Sequence, residues 1–482
     1  MAWPHLFRAV GPLFPQCSPH HVTVFLLTFT SYILYHTSRK TFSDVKVYIT
    51  SHCTPLYSDV SPNGTYFFLN TKQAILPGGT LDTIFLFSYA MGIFINNIIG
   101  EWISLQLVMA IGMCSSALVF FCFGTLTNFP HFYNKWFYIC LWVLNGLLES
   151  TAWPCVVANM DNWFGLTGQG FVFGLWSACA SMGNILGACL ASLLLQHGYE
   201  YTFLVTASMQ LAAGLIIFFT LWLLPKEPGL IDTEDRNGFE EDFDSLLMNY
   251  EDNETDEVGG KGDDILPQAT DFSEAPSLLG VLLYFLGYAN MELVNYCFLF
   301  WLLFYLNSSF GWRESQVSQL SVWYDAEGIV GGTFQGFLTN VVQKRSMLAV
   351  CVLLAIGSLV RYSHTPQTKA ITALLMSITG LFIGGPSDVM GSAIPDDLGC
   401  QEQMKRSREA LATVTGIVDR TVSMGTAVGQ YLVSLIQDKL GWMWVFYFFV
   451  LMTGCTILLI SILLLREIRD FVQKRTTQTF RE

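Results

Sequence analysis

The chain has 482 residues, a mean hydropathy of +0.44 and only 13% charged residues, values that exclude an ordinary soluble domain. Its net charge of −14 arises in one stretch, residues 226–275, which holds seventeen Asp and Glu against three Lys and Arg. The rest of the chain is neutral, so no basic surface indicates a nucleic acid partner.

Apolar segments long enough to cross roughly 30 Å of hydrocarbon recur along nearly the whole chain. They are continuous rather than alternating, which favours helices over the strands of a barrel. We therefore predict an all-α polytopic membrane protein, embedded in the lipid bilayer. Its twelve transmembrane helices are expected at residues 22–38, 80–100, 105–126, 136–157, 171–194, 202–224, 278–304, 318–340, 347–362, 370–393, 411–436 and 442–465.

The acidic stretch divides these segments into six and six, which sets the domain organisation. We predict a first six-helix half at 22–224, with a lumenal loop at 39–79, and a second half at 277–465. Between them lies an acidic, disordered cytosolic linker at 225–276. Cytosolic segments are expected at both ends of the sequence, at 1–21 and 466–482.

The distribution of Lys and Arg predicts the orientation of the helices. With both termini in the cytosol, fourteen basic residues face the cytosol and nine face the other side, which agrees with the positive-inside rule. The glycosylation sequons at Asn63 and Asn307 then both lie on the lumenal side. This orientation predicts a glycoprotein.

The acidic linker contains a candidate sorting signal. The sequence Asp242-Phe243-Asp244-Ser245-Leu246-Leu247 has the form of an acidic dileucine signal for endosomes and lysosomes, centred on Asp242, Leu246 and Leu247. A chance pair of leucines in a charged linker is the alternative interpretation.

No pattern in the sequence indicates catalysis, a metal or a cofactor. The twelve cysteines are scattered without the spacing of a zinc site, and the eight histidines are dispersed. Neither a Ser-His-Asp order nor an HExxH motif occurs. We therefore expect a protein that is not an enzyme and that needs no cofactor.

Two adjacent cations, Arg39 and Lys40, follow the first apolar segment. Charge at this depth in a membrane pairs, lines a wet cavity or extends to the interface. Arg39 is therefore either an anion ligand inside a transport cavity or a positive anchor at a helix end. Tyr35, one helical turn earlier, lies on the same face as Arg39 and is a candidate donor to the same anion.

The fourth segment carries a carboxylate, Glu149, in the middle of the membrane, where it must pair, protonate or face water. Trp153 follows it and either packs on a ring or sugar face or simply fills space. Small residues, including Gly183 and Gly187 in the fifth segment and Gly425 and Gly429 in the eleventh, predict close contacts between helices.

Several stretches together resemble the organophosphate–phosphate antiporter family of the major facilitator superfamily, and within it the sugar-phosphate exchangers of solute carrier family 37. The resemblance covers nearly the whole chain and is carried by Tyr35–Phe42, Gly79–Gly92, Asn145–Cys155, Asn162–Gly170, Phe173–Gly187 and Gly416–Leu432.

The resemblance implies a major facilitator fold and antiport of organic phosphates against inorganic phosphate by alternating access in an internal membrane. The family's phosphate-binding Arg corresponds to Arg39, whose planar guanidinium suits phosphate oxygens. Lys40 is expected to support this Arg rather than to bind phosphate itself.

The chain departs from the family pattern where further cations would be expected. In the seventh segment Glu292, near Tyr296, stands in place of a basic residue, and Glu149 replaces a neutral amide. Carboxylates in a cavity meant for a dianion would repel it, unless they are protonated or paired. We expect Arg39 to face Glu292 across the cavity.

These features leave two functions open. The first is a transporter of organic phosphate or phosphonate anions, with Arg39, Lys40, Tyr35, Trp153, Glu149, Glu292 and Tyr296 as candidate substrate-site residues. The second is a transporter-fold protein that no longer exchanges and works with an accessory membrane protein or as a trafficking subunit. The resemblance and the dileucine indicate the endoplasmic reticulum, the lysosome or both.

Overall fold

A computed structural model of the protein describes residues 19–52, 71–102, 105–126, 135–152, 155–156, 178–223, 275–341, 344–399 and 408–479. Within these ranges the regular structure is entirely helical, without a strand. The predicted linker over 225–276 lies almost wholly outside the described residues.

The described residues form twelve long helices, six on either side of the linker, as predicted. The first six are α1 Pro19–His52, α2 Thr71–Trp102, α3 Leu105–Phe121, α4 Lys135–Glu149, α5 Ala178–Leu194 and α6 Tyr199–Leu223. The last six are α7 Ala275–Phe310, α8 Glu314–Val341, α9 Lys344–Ser363, α10 Lys369–Gly399, α11 Arg408–Leu440 and α12 Trp442–Thr479.

Within the described ranges, five helical segments are long and apolar enough by themselves to cross a membrane. These segments are Leu107–Leu126, Tyr199–Thr220, Leu283–Phe310, Lys369–Ser387 and Trp442–Ile462. The other helices carry polar residues that the fold covers with neighbouring helices rather than with lipid.

The predicted boundaries of the first loop are wrong. Helix α1 continues past residue 38 to His52, and α2 begins at Thr71, so residues 39–52 and 71–79 are helical. The hydropathy pattern predicted that the helix ends at its first charged residues. Lys40 and Asp44, however, form an ion pair inside the protein. The predicted C-terminal tail is likewise helical as far as Thr479.

Each half has its own apolar core. In the first half Phe42, Phe123, Trp142 and Phe203 are buried among α1, α3, α4 and α6. In the second half the rings of Phe298, Tyr305, Tyr362 and Phe446 meet at centroid distances between 5.0 and 6.1 Å. These aromatic rings therefore pack within their own half.

The two halves meet along matching pairs of helices. Helix α2 packs along α11, and α5 reaches α8 through the hydrogen bond from Asn184 to Asp325. Helices α8 and α11 hold the same positions in the second half as α2 and α5 hold in the first. The contact of α2 with α11 therefore corresponds to the contact of α8 with α5 when the halves are exchanged. This is the symmetry of a fold built from two repeats.

Helix α1 also contacts α7 at one end of the interface between the halves. Ser43 Oγ donates a hydrogen bond to the Phe300 carbonyl oxygen at 3.0 Å. Lys46 forms an ion pair with Asp82 of α2 and lies 4.7 Å from the ring centroid of Trp301. In the described structure, the two halves are therefore closed together at the C-terminal ends of α1 and α7.

Candidate functional site

Arg39 lies within α1, with a side chain that is almost fully buried. Its Nε donates to Glu149 Oε2 across a distance of 2.8 Å. A residue in this position does not anchor a helix end at the membrane surface, so that alternative for Arg39 is wrong. Arg39 is instead an interior cation.

Glu149 ends α4 and is held by three donors. Besides Arg39, Ser38 Oγ donates to its Oε1 at 3.1 Å and Asn145 Nδ2 donates to the same oxygen at 3.0 Å. An ionised carboxylate accepts from several donors in this way, and the ion pair compensates its burial. The expectation that Arg39 faces Glu292 is therefore wrong, because Glu149 of the same half is its acid partner.

One terminal nitrogen of the Arg39 guanidinium has no partner among the described residues. This nitrogen, Nη2, is buried and makes no hydrogen bond there. The guanidinium carbon lies 4.6 Å from the ring centroid of Tyr89 and 5.5 Å from that of Phe85. An N–H group of a cation in this state is suited to donate to an oxyanion.

A small cavity adjoins this guanidinium and draws its walls from both halves. It is lined by Ser38, Arg39, Phe42, Asp82, Phe85, Leu86, Trp142, Asn145, Glu149 and Phe300. Its volume of about 10 Å³ is close to that needed by a single water. A molecule larger than water therefore enters only when the helices around Arg39 move apart.

Lys40 and Tyr35 do not line this cavity. Lys40 is fully buried on another face of α1, where its Nζ lies 3.6 Å from Asp44 Oδ1. Tyr35 is also fully buried, in an apolar cluster that includes Val108 and Met109 of α3. Among the first-half candidates that the structure describes, Arg39 and Glu149 come together at the cavity, and Tyr35 and Lys40 do not.

The second half contributes Tyr296 and Glu292 near the interface. Glu292 accepts hydrogen bonds from Ser387 Oγ at 2.7 Å, from Asn295 Nδ2 at 3.2 Å and from Tyr288 at 3.4 Å. Tyr296 stacks on Phe300 with ring centroids 5.9 Å apart, and Phe300 lines the cavity that Arg39 also lines. Glu292 is thus held by its own half.

Several predicted residues fall outside the described part of the chain, namely Trp153, Asn63, Asp242, Leu246 and Leu247. Asn307 lies in the last turns of α7, where its amide donates to the Trp312 carbonyl oxygen at 2.9 Å and to Glu314 Oε1 at 3.2 Å.

Ser38 and Asn145 were not predicted from the sequence as hydrogen-bond donors to Glu149. Asn145 lies four residues before Glu149, so the two side chains share one face of α4. That spacing was the available signal for Asn145. No local signal links Ser38 to Glu149, since 111 residues separate them.

Comparisons with known proteins match the chain along most of its length. Residues 64–400 match the sequence profile of the Major Facilitator Superfamily. Sugar phosphate exchanger 3 of Homo sapiens is 57% identical over all of both chains. The glucose-6-phosphate exchanger SLC37A2 of Xenopus tropicalis is 32% identical and covers 92% of this chain and 93% of its own length.

Solved structures add a likeness of fold. The crystal structure of a D-xylose-proton symporter superposes with a TM-score of 0.61 over 92% of this chain and 97% of its own. At 11% sequence identity this likeness concerns the fold alone.

Proposed function

Because the chain belongs to the major facilitator superfamily and to its sugar phosphate exchangers, we propose that it exchanges organic phosphates for inorganic phosphate across a membrane. The substrates are phosphorylated sugars and related phosphate- or phosphonate-bearing anions. Alternating access carries them, as the two helical halves open first on one side of the bilayer and then on the other.

The observation that carries this proposal is the Arg39 guanidinium at a cavity between the halves, with its Nη2 buried and unpartnered among the described residues. A buried cation with an unused donor is suited to bind an anion from solution. Glu149 neutralises Arg39 when phosphate is absent. It binds Nε, which leaves Nη2 available to the substrate.

The exchange is tested with purified protein in lipid vesicles. Uptake of labelled inorganic phosphate is measured into vesicles that contain phosphate and into matched vesicles that contain gluconate. We expect rapid uptake only when phosphate is inside, because an exchanger returns across the membrane with a bound anion. Equal uptake into both kinds of vesicle would contradict antiport.

A second candidate function is that of a transporter-fold subunit of a membrane complex. Glu149 favours it, because it places a carboxylate at the cavity where a dianion would bind. Vesicles that show no phosphate uptake, together with co-purification of a stable membrane partner, would support this function instead of exchange.

We also propose that both termini face the cytosol and that the protein resides in the endoplasmic reticulum, the lysosome or both. The bias of Lys and Arg and the positions of Asn63 and Asn307 support this orientation. Glycosidase treatment of wild type, Asn63→Gln and Asn307→Gln tests this orientation by the change in gel mobility.

Imaging of a Leu246→Ala/Leu247→Ala variant in cells tests the sorting signal. An unchanged distribution of the protein would contradict a sorting role for these residues.

A further inference from the structure

A second buried polar cluster lies where α1 meets α5 and α8. It consists of Lys40 and Asp44 on α1, Asn184 on α5, and Ser318 and Asp325 on α8. Lys40, Asp44 and Ser318 are fully buried, and Asp325 is 3% exposed. We call these five residues the interhalf cluster, since α1 and α5 belong to the first half and α8 to the second.

The contacts within the interhalf cluster join the two halves. Asn184 Nδ2 donates to Asp325 Oδ1 at 3.0 Å, and Lys40 Nζ lies 3.6 Å from Asp44 Oδ1. Within the described residues, the ammonium group of Lys40 is thus paired with Asp44, whereas Asp325 of the other half is held by the amide of Asn184 and by no ion pair.

The interhalf cluster has more negative charge than it can compensate. It holds two carboxyl groups and one ammonium group, and the ammonium lies beside Asp44, so Asp325 has no cationic partner among the described residues. In the same part of the chain, both oxygens of Asp44, Lys40 Nζ, Ser318 Oγ and Asp325 Oδ2 have no hydrogen-bond partner. A buried charge without enough partners is costly, and protonation of one carboxyl removes the charge and supplies a donor.

Neighbouring charged groups do not correct this imbalance. Lys46, which also acts on Asp44, is paired with Asp82. Arg39 is paired with Glu149, and the Glu292 carboxylate of α7 is held by Ser387. His36, one helical turn before Lys40 on α1, is also buried.

The chemistry of the interhalf cluster favours a proton over a metal ion. The Lys40 ammonium lies beside Asp44 and would repel a metal cation there. The described residues also contain no group of three or more His, Cys, Asp and Glu that could hold a metal. A proton needs only one carboxylate oxygen and a neighbouring acceptor.

We propose that Asp44 and Asp325 form a proton-binding site that is occupied while the halves are closed at this end and emptied when they part. When α8 moves away from α1 and α5, water reaches the carboxyl groups of Asp44 and Asp325. The partners that stabilise each carboxyl group then change. Each exchange cycle then moves a proton as well as an anion. This inference rests on the alternating access of the proposed function.

Infrared difference spectroscopy tests the proton site without requiring transport. The full chain is reconstituted in lipid and shifted between mildly alkaline and mildly acidic buffer. We expect the wild type to show the carbonyl band of a protonated carboxylic acid, and Asp325→Asn or Asp44→Asn to lose it. Asp438→Asn, which changes an exposed carboxylate at the end of α11, is the matched control and keeps the band.

Phosphate exchange at different pH values provides the functional test. Phosphate itself titrates in the same way with every variant. The ratio of wild-type to Asp325→Asn initial rates therefore reports only the pH dependence that comes from the protein. We expect this ratio to change by up to about tenfold per pH unit where one proton controls the cycle. Thermal melts establish that each variant is folded.

A carbonyl band that survives in both Asp44→Asn and Asp325→Asn would overturn the proton site, as would its absence from the wild type. A rate ratio that stays constant with pH would overturn the link to transport. If vesicles carry no phosphate at all but the infrared band behaves as expected, the proposed function fails while the proton site stands.

Discussion

The pair of Arg39 and Glu149 shows how a buried cation is stabilised inside the protein. Removing one partner of a buried ion pair costs about 3–5 kcal/mol, because the other charge is left uncompensated. Arg39 retains its charge because the carboxylate, the hydroxyl of Ser38 and the amide of Asn145 form one hydrogen-bonded group. The same group leaves Nη2 free for an anion.

Glu149→Gln should strengthen phosphate binding while it lowers stability in the absence of phosphate. A carboxylate about 8 Å from a bound anion opposes each unit of its charge by about 2 kcal/mol at an effective dielectric constant of about 20. We therefore expect the phosphate Kd to fall roughly tenfold or more. The measurement is the melting temperature of the purified protein over a phosphate series.

Asp438→Asn is the control for this experiment, because it removes an exposed carboxylate far along α11 from its N-terminal end. It should leave both melting temperature and phosphate response unchanged. A Glu149→Gln protein whose melting temperature responds to phosphate no more than the wild type would contradict repulsion at the site.

At the scale of the helices, the close contact of α1 and α5 positions the site. Thr37 Oγ1 donates to the Gly183 carbonyl oxygen at 3.1 Å, which brings the two backbones together. A Cβ atom built on Gly187 would lie 2.8 Å from Lys40 Cβ and 2.9 Å from the Thr37 carbonyl oxygen. The small residues of the fifth segment predicted such a contact, and α1 is its partner.

Gly187→Ala should destabilise the protein and slow phosphate exchange. The added methyl group would push α5 away from the segment of α1 that carries Arg39 and Lys40. Overpacking of this kind costs roughly 1–3 kcal/mol. The melting temperature and the initial exchange rate measure the two effects. Gly454→Ala on α12 is the matched control, since nothing lies within 4 Å of the added Cβ.

A lower melting temperature for Gly454→Ala than for Gly187→Ala would contradict the importance of this contact. Alanine in an open helical position should instead be neutral or stabilise by about 0.5–1 kcal/mol.

At the scale of the whole molecule, the sequence predicted the twelve helices and their division into six and six. The hydropathy pattern failed at the C-terminal part of α1, because it counts Lys40, Asp44 and Lys46 as exposed charges. The fold hides them through the Lys40–Asp44 and Lys46–Asp82 pairs. Such pairs depend on packing that local composition does not record.

The site was predictable only in part. The motif around Arg39 identified the cation, and the intramembrane position of Glu149 marked it as unusual. Their pairing joins residues 110 positions apart, so only the packing of α1 against α4 could reveal it. The placement of Tyr35 in the apolar core was likewise unpredictable from helical spacing, which gives the face of a helix but not its neighbour.

The proposed exchange of phosphate depends on Arg39 as the phosphate ligand. The direct measurement is exchange of labelled phosphate by phosphate-loaded vesicles containing wild type, Arg39→Ala, Arg39→Lys or Arg361→Ala. Arg361 is an exposed arginine in the last turn of α9 and serves as the control. We predict that exchange is lost in Arg39→Ala, falls at least about tenfold in Arg39→Lys because a lysine lacks the planar fork, and is unchanged in Arg361→Ala. Undiminished exchange by a folded Arg39→Ala protein would contradict the account.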